Sequence, residues 1–528
     1  MKKYILLFII LSLITVQRVS VYSATYIREI EIVRLNVFDK ELENGGNFIY
    51  RLANKFHVVT RDRIIRQELL FNKGDPFDSE HLEQSIRNIR TLPFIGDATS
   101  NIKYVADDSI DIEIIAEDLW TTTIGISGEG GGGQYNFTIY ANEKNTAGLG
   151  LGIDVNLQFT TDDDNGYLIQ ISDRRLMGTR LMYDLILRDF SYSRGFGVLL
   201  YHPFYSPYAR WNYGISFNVQ DAKQRLFYQG QEYFRYDYDY KDFQVHLKRA
   251  YGMYNRFESG LLFKYCRNDY SDRRSESLDF QLIPENETFS GPGVNLALSI
   301  RRYFTATYLD EFGTIEDLTE HATIRATSIW SGPAFNGDYE ATYLEVESGF
   351  FFRPTQNLYA GFKNTYSNFI AGSSRERITN TMQSILYYKP STYHLLAGRF
   401  FSHFAWRQKP SYQIVLGGIN GLRGYPDRYF EGAKLALMNA EYRIFTPVQI
   451  LTVSLGGAAF FDAGYVWDDG ESVDITDLKK DVGLGLRFGL TKSSTARIVC
   501  FNVARALDQD HWYISFRTGN LFGLARYQ

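Results

Sequence analysis

The sequence predicts a mainly β protein: a transmembrane antiparallel β-barrel of about 16 strands, preceded by one small α+β domain. Three observations support this fold class. Aromatic residues make up 16% of the 528 residues and Gly contributes 44, which is typical of strands and their turns. From Trp120 onward, apolar and polar residues alternate with a period of two. After the first 24 residues, the chain contains no apolar run long enough for a membrane helix.

The composition excludes several other classes of protein. A disordered chain would lack these aromatic residues, and a disulfide scaffold would need many more than the two Cys present. The net charge of −5 gives no basic footprint, so we expect no nucleic acid partner.

Residues 1–24 have the three-part organisation of a secretory signal peptide. Lys2 and Lys3 form a basic start, residues 4–16 are almost entirely apolar, and small residues lead to Ala24. An uncleaved anchor helix is the alternative interpretation. We expect the mature chain to be exported, so any membrane crossing must be made by strands.

Residues 25–119 are predicted to form a small α+β domain in the order strand, helix, helix, strand, strand. An apolar strand opens the domain. A first helix follows, with Thr60 as its expected N-cap and Leu70 near its end. Asp78 or Ser79 is expected to cap a second helix, and two alternating strands close the domain.

Residues 120–528 are predicted to form the barrel. Four runs alternate most clearly, at residues 213–219, 243–247, 294–300 and 482–488. One face of each run is apolar and the other is small or polar. A soluble sandwich also alternates, but the length of the region and its repeat of roughly 20–30 residues favour an outer-membrane barrel. Candidate strands number between about 16 and 20, and we expect an even total.

The most informative segment lies between residues 417 and 445. Its first half is rich in Gly, contains Arg423 followed by Gly424 and Tyr425, and cannot form a regular strand. The alternation of the two following strands places Glu441 and Asp462 on the side that faces the lumen. Two carboxylates inside a barrel require a cationic partner, and Arg423 could supply bidentate contacts.

The domain in front of the barrel resembles a POTRA domain, a type found in the periplasm before outer-membrane assembly and secretion barrels. The resemblance rests on the Gly-Asp-Pro-Phe run at residues 74–77, on Leu92 and Phe94, and on the strand that contains Asp111 and Glu113. The exposed strand edges of such domains can capture extended clients by β-augmentation. Another α/β sandwich of this size is the alternative.

The segment around Arg423 resembles the sixth extracellular loop of the BamA/TamA superfamily, whose barrels are of the bacterial surface antigen type. Its Arg-Gly-aromatic tip is present as Arg423, Gly424 and Tyr425, and the segments around Glu441 and Asp462 are similar to the family's next two strands. In that family the loop folds into the lumen, and its Arg engages acidic residues of the barrel wall. The resemblance therefore implies a lumen loop lock formed by these five residues. A surface loop with a chance Arg-Gly-Tyr sequence is the alternative.

The resemblance also implies a function. It points to a protein of the bacterial outer membrane, with its N-terminal domain in the periplasm, that inserts or translocates client proteins. Its partners would be unfolded or extended client proteins, outer-membrane lipid and periplasmic accessory proteins. A single POTRA-like domain implies a specialised relative rather than the general insertase. A passive solute pore and a structural surface antigen barrel remain the alternatives.

The sequence gives catalysis little support, and we expect no enzyme activity, no cofactor and no metal. The Gly-rich residues 128–133 lack the Lys and the helix of a phosphate loop, so a hairpin turn is favoured. The eight His show no pair at metal-binding spacing. Cys266 and Cys500 lie in separate predicted strands and are expected to be unpaired, with a disulfide as the alternative.

Overall fold

The computed structural model describes ten segments of the chain. They are residues 25–38, 55, 57–131, 133–271, 282–313, 315–372, 374–418, 421–474, 476–491 and 498–519. The expected signal peptide, residues 1–24, lies outside these segments. No helix within them is long and apolar enough to cross a membrane.

The N-terminal domain is a three-stranded sheet that packs against two helices. Its elements are β1 (Tyr26–Leu35), α1 (Asp62–Arg66), α2 (Ser79–Arg90), β2 (Ile95–Ala106) and β3 (Ser109–Asp118). The strand order is β1-β3-β2, with β1 parallel and β2 antiparallel to the central strand β3. Ile65 of α1, Ile89 of α2 and Ile112 of β3 are fully buried in one core. The order of elements is the predicted one.

The two helices begin in different ways. Asp78 caps α2 by accepting hydrogen bonds from two N–H groups of its first turn, as predicted. The predicted cap of α1 is wrong, because Arg61 takes that position without a side-chain hydrogen bond. Thr60 instead donates its N–H and its hydroxyl to Oδ2 of Asp118, at 2.7 and 3.0 Å. The buried carboxylate at the end of β3 thus uses the residue that would have capped α1, and the helix ends early, at Arg66.

The rest of the chain forms one large antiparallel sheet with a circular strand order. The strands before the long Gly-rich loop are β4 (Thr122–Gly131), β5 (Gln134–Thr146), β6 (Leu151–Thr160), β7 (Gly166–Asp173), β8 (Met182–Phe190), β9 (Ser193–His202), β10 (Trp211–Tyr228), β11 (Gln231–Tyr251), β12 (Asn255–Ser271), β13 (Glu287–Ala306), β14 (Glu316–Ser331), β15 (Ala341–Thr355), β16 (Leu358–Ala371), β17 (Ser374–Ser391) and β18 (His394–Trp406). The loop itself contains β19 (Ile414–Leu416) and β20 (Phe430–Gly432), which pair only with each other among the described residues. The strands after the loop are β21 (Lys434–Ile450), β22 (Val453–Trp467), β23 (Lys479–Leu490), β24 (Ile498–Ala506) and β25 (Trp512–Thr518).

The number of strands differs from the sequence-based expectation. The described residues place twenty strands in the large sheet, which is the upper end of the expected range of about 16 to 20, so the favoured count of 16 is wrong. The strands β6 to β9 contain only 8 to 10 residues each, whereas β11 contains 21. A short strand offers few alternating positions, so hydrophobic periodicity alone does not show where one strand ends and the next begins.

Apolar side chains cover the outer face of this sheet. In β13, Leu298 is 57% exposed, whereas its neighbours Ala297 and Ser299 are 3% and 4% exposed. In β23, Leu484 and Leu486 are likewise exposed. The predicted alternation is therefore confirmed, with an apolar row pointing outward and a small or polar row pointing into the interior.

The first and last strands of the sheet, β4 and β25, pair with each other. Among the described residues, the pairing of β25 with β4 is recorded between Phe516 and Gly130. The adjacent strands β24 and β25 pair from residues 499 and 518 to residues 505 and 512. We call the junction of β25 with β4 the seam.

The N-terminal domain packs against one end of the sheet, which we call the domain end. Arg175, between β7 and β8, forms a buried two-pronged ion pair with Glu68. Arg90 of α2 donates two hydrogen bonds to Asp317 of β14, at 2.8 and 3.1 Å. The opposite end of the sheet, which carries the Gly-rich loop, is called the far end.

Candidate functional site

The loop between β18 and β21 folds into the interior of the sheet. Leu422 and Tyr425, at its tip, are fully buried, and Arg423 is 4% exposed. The hairpin of β19 and β20 forms the stem of the loop. We call residues 407–433 the inserted loop.

Arg423 is held by carboxylates from two neighbouring strands. Its Nε and Nη2 donate to Oδ2 and Oδ1 of Asp462 in β22, at 2.7 and 2.8 Å. Its Nη1 donates to Oε1 of Glu441 in β21, at 2.7 Å. The guanidinium carbon lies 3.5 Å from the ring centre of Phe460. The planar fork of an Arg side chain allows all these contacts at once, which the ammonium of Lys could not reproduce.

Two further side chains donate hydrogen bonds to these carboxylates. Nδ2 of Asn439 donates to Oδ1 of Asp462 and to the carbonyl of Gly421 in the loop, both at 2.8 Å. Nε of Arg443 donates to Oε2 of Glu441 at 2.8 Å. Buried charges are tolerated when they are paired and hydrogen-bonded, and both carboxylates meet that condition here.

Gly424 and Tyr425 seat the tip of the loop against the next strands. A Cβ atom at Gly424 would lie 2.5 Å from Cβ of Asp481 and 2.8 Å from the backbone nitrogen of Ala506, so no side chain fits. The hydroxyl of Tyr425 donates to Asp508 at 2.6 Å. Burial, followed by the hydrogen bond to Asp508, raises the pKa of Tyr425 well above its usual value.

The structure brings the five predicted lock residues, three from the loop and two from the strands, to one wall of the interior. Arg423 contacts both predicted carboxylates, while Gly424 and Tyr425 contact neighbouring strands instead. Asn439 and Arg443 were not predicted as site residues, although alternation along β21 places them on the same face as Glu441. Asp508 lies on a connection, where the sequence carries no comparable signal.

The N-terminal domain presents a sheet edge. The strand β2 lies at one side of the order β1-β3-β2 in the described residues. Tyr104, near the end of β2, is 78% exposed, and Ile102 and Val105 are also exposed. Edge strands present backbone N–H and C=O groups that can pair with an extended chain.

Cys266 of β12 and Cys500 of β24 are both free thiols. The described residues contain no group of three or more His, Cys, Asp or Glu that could hold a metal ion.

These features define a β-barrel of the outer-membrane type whose interior is occupied by one of its own loops. The family comparison then identifies the group. The model of the Omp85 superfamily domain matches residues 145–522. The chain therefore belongs to the Omp85 superfamily, the group that includes BamA-like and TamA-like barrels. Its members are bacterial outer-membrane barrels that act as transporters and assembly factors rather than enzymes.

Three solved structures are similar to the chain. BamA from Haemophilus ducreyi lacking POTRA domains 1–3 has 12% identity and a TM-score of 0.38, and the match covers 93% of this chain and 84% of that one. CdiB from Acinetobacter baumannii has 13% identity and a TM-score of 0.46, with 94% and 73% covered. CdiB from Escherichia coli has 11% identity and a TM-score of 0.45, with 94% and 76% covered. No curated protein sequence matches the chain.

Proposed function

We propose that this chain inserts or translocates client proteins at the bacterial outer membrane. The N-terminal domain, residues 25–119, is a POTRA-like domain that lies in the periplasm and receives the client. The barrel, residues 120–528, passes the client on. The observation that carries the proposal is the Arg423 contact with Glu441 and Asp462, which holds a loop inside a barrel of this family.

The site supports a mechanical role. Arg423, Glu441 and Asp462 satisfy one another, and their burial leaves no group exposed to a reactant. Such a cluster fixes the position of a loop, because separating any one partner would leave a buried charge unpaired. The five lock residues therefore stabilise the working barrel, with no cofactor and no metal.

The N-terminal domain supports the reception of an extended chain. Its edge strand β2 offers backbone groups for pairing, and alternating exposed side chains such as Ile102 and Tyr104 offer contacts to the client. The domain is docked at one end of the barrel through Glu68 with Arg175 and Arg90 with Asp317. A client paired with β2 is thereby held close to the barrel strands.

The seam offers a route for the client out of the barrel. A backbone hydrogen bond contributes about 0.5–1.5 kcal/mol net, so a junction with few pairs opens more easily than one with many. The pairing recorded between Phe516 and Gly130 makes β25 and β4 the weakest described junction. A client leaving through the seam would meet outer-membrane lipid at the apolar outer face.

The test is the outer-membrane and surface proteome of cells that lack this chain. We expect the loss of one or a few surface or secreted proteins, and their return on complementation with the intact chain. Complementation with a chain lacking residues 25–119 separates the alternatives. A client-handling protein should fail to restore the lost proteins without this domain, whereas a passive solute pore should still conduct and no client protein should be missing. An unchanged proteome would contradict the proposal and favour the pore or the structural surface antigen.

A further inference from the structure

A second segment of the chain enters the interior, from the domain end. Residues 307–313 lie in the connection between β13 and β14, and we call them the inner turn. Leu309 and Phe312 of this turn are 0% and 4% exposed. They pack in one cluster with Tyr387 of β17, Phe445 of β21 and others. Connections between strands are normally exposed and polar, so an apolar connection buried inside the barrel requires an explanation.

The inner turn contacts strands that are not its neighbours in the ring. A Cβ atom at Gly456 of β22 would lie 2.8 Å from Cζ of Phe312, and one at Gly489 of β23 would lie 2.7 Å from its Cβ. The ring of Phe312 also meets that of Phe445 edge-on, with centroids 4.9 Å apart. Since β13 and β14 are not neighbours of β22 and β23 in the strand order, Phe312 reaches strands that lie away from its own connection.

The conformation of the inner turn is held by specific polar contacts. The carboxylate of Glu316, at the start of β14, accepts hydrogen bonds from the N–H groups of Leu309 and Asp310, at 2.9 and 3.1 Å. Lys389 of β17 donates to the carbonyl of Thr307. These contacts stabilise the conformation of the turn and hold it inside the barrel.

One of these polar residues joins the inner turn to the inserted loop. Oδ1 of Asp310 accepts hydrogen bonds from Tyr387 at 3.0 Å and from Nη1 of Arg443 at 3.3 Å. Nε of Arg443 binds Glu441, whose other oxygen binds Arg423. Charges of alternating sign thus run from Arg423 through Glu441 and Arg443 to Asp310, and connect two segments that enter the barrel from opposite ends.

We propose that the inner turn is a second closure of the barrel interior, at the domain end, and that Arg443 and Asp310 couple its seating to the inserted loop. The inference rests on the proposed function, because it describes how the same lock is regulated. Release of Arg423 frees one side of Glu441, which loosens the position of Arg443 and then of Asp310. The interior therefore opens at both ends together, and Arg443 and Asp310 act as positioning residues.

The closure is tested by the KCl current through the purified full chain in planar lipid bilayers. We expect a gain of open-channel current in Phe312→Ala and in Asp310→Asn. Phe335→Ala is the matched control, because Phe335 is an exposed aromatic in the connection between β14 and β15 at the far end. It should leave the current unchanged. Heat-modifiable gel mobility shows whether each barrel is folded.

A cross-link makes the same test independent of any loss of stability. Phe312→Cys with Gly489→Cys, in a background with Cys266→Ala and Cys500→Ala, brings two thiols together at the contact of the inner turn with β23. Oxidation should suppress the current and reduction should restore it. A folded Phe312→Ala variant with the current of the parent chain, or a cross-link without effect, would overturn the closure.

The coupling is tested by the rate at which a polar maleimide labels the single Cys of Phe312→Cys in the same background. We expect Arg423→Ala to raise this rate and Arg267→Ala to leave it unchanged, because Arg267 forms an exposed pair with Asp269 on β12. Equal rates in the folded parent and Arg423→Ala chains would overturn the coupling. Neither readout uses a client. Negative results in these two tests would therefore not contradict the proposed function, and a proteome without losses would not contradict the results of these two tests.

Discussion

Arg423 illustrates what a charged side chain needs in order to sit inside a barrel wall. Its guanidinium has five donors, and the structure gives two of its edges to Asp462 and Glu441 while its face lies on Phe460. Asn439 donates to Oδ1 of Asp462, which also accepts from Arg423, and Arg443 donates to the second oxygen of Glu441. The geometry explains why this position requires Arg and why its neighbours must be acidic.

Replacing Arg423 therefore tests the lock at its centre. Arg423→Ala leaves Glu441 and Asp462 buried without their main partner, a change that typically costs about 3–5 kcal/mol. We expect a folded barrel that unfolds at a lower temperature, as shown by its change in gel mobility on heating. Delivery of the proteins that are lost in cells lacking the chain should also be reduced. Arg423→Lys should recover only part of both properties.

The control for this prediction is Arg267→Ala, which removes an Arg from an exposed pair. Exposed ion pairs contribute about 0–1 kcal/mol, so this variant should behave like the parent chain. Full client delivery by a folded Arg423→Ala protein would contradict the role of the lock.

At the scale of elements, the end of β3 and the start of α1 depend on one buried carboxyl group. Asp118 accepts two hydrogen bonds from Thr60, and Nδ2 of Asn145 in β5 donates to the Thr60 hydroxyl at 2.7 Å. Burial, opposed by the hydrogen bonds from Thr60, raises the pKa of Asp118 to about 6. This group lies in the N-terminal domain and joins it to the first hairpin of the barrel.

The raised pKa predicts how the stability of the N-terminal domain depends on pH. The folded carboxyl binds its proton more tightly than the unfolded one, whose pKa is 3.8. The contribution of Asp118 to the free energy of unfolding is therefore greatest below pH 3.8, and it falls by about 1–3 kcal/mol as the pH rises through about 6. Asp118→Asn keeps an oxygen that can accept from Thr60 and removes the ionisation, so it should flatten this dependence.

The measurement is the urea midpoint of the N-terminal domain in the full chain, followed by pulse proteolysis between pH 4 and pH 8. His57, whose Nε2 lies 3.7 Å from Asp118, has a pKa that burial lowers, and it contributes with the opposite sign. It is present in both proteins, so the difference between them reports Asp118 together with its effect on His57. Parallel pH profiles for the parent and Asp118→Asn chains would contradict the assignment.

The elements also show how far the sequence could predict this structure. Alternation fixed which residues face outward, as Leu298 and Leu484 show, because a strand has a strict period of two. It could not fix the number of strands in residues 151–202, where turns interrupt the period every 8 to 10 residues. Thr60 is a residue type that commonly caps helices. Here it hydrogen-bonds to Asp118, 58 residues away, and not to the first turn of the helix.

Some residues of the candidate site could also be predicted from the sequence, whereas others could not. Arg423, Glu441 and Asp462 could be grouped because parity and resemblance place them on one wall. The pairing of Asp310 with Arg443 spans 133 residues and depends on a connection folding inward. An Asp in a polar-looking connection gives no local sign of that direction, since turns and loops are commonly rich in Asp.

At the scale of the whole molecule, the ion pairs that join the N-terminal domain to the barrel differ in burial. The side chains of Glu68 and Arg175 are 7% and 8% exposed. Arg90 and Asp317 are more accessible and should contribute less. Of these two ion pairs, the buried one should therefore contribute more to the docking of the domain.

A double-mutant cycle on this pair tests the docking. Arg175→Ala leaves Glu68 buried without its partner and should speed the proteolytic release of the N-terminal domain from the folded barrel. Adding Glu68→Gln should recover part of the loss, because the unpaired charge is gone. Arg194→Ala, which removes an exposed pair with Asp189 at the far end, serves as the control. Additive effects of the two substitutions would contradict a direct interaction.

The seam also bears on how the barrel is made. Arg423 and Phe312 contact β21, β22 and β23, away from Phe516 and Gly130. The contacts of the inserted loop and the inner turn with these strands therefore do not require that the two ends of the ring have joined. Until those ends join, the sheet has two unpaired edges, and an unpaired edge accepts any suitable strand. A protein proposed to handle the strands of others therefore passes, during its own biogenesis, through a state open to the same pairing.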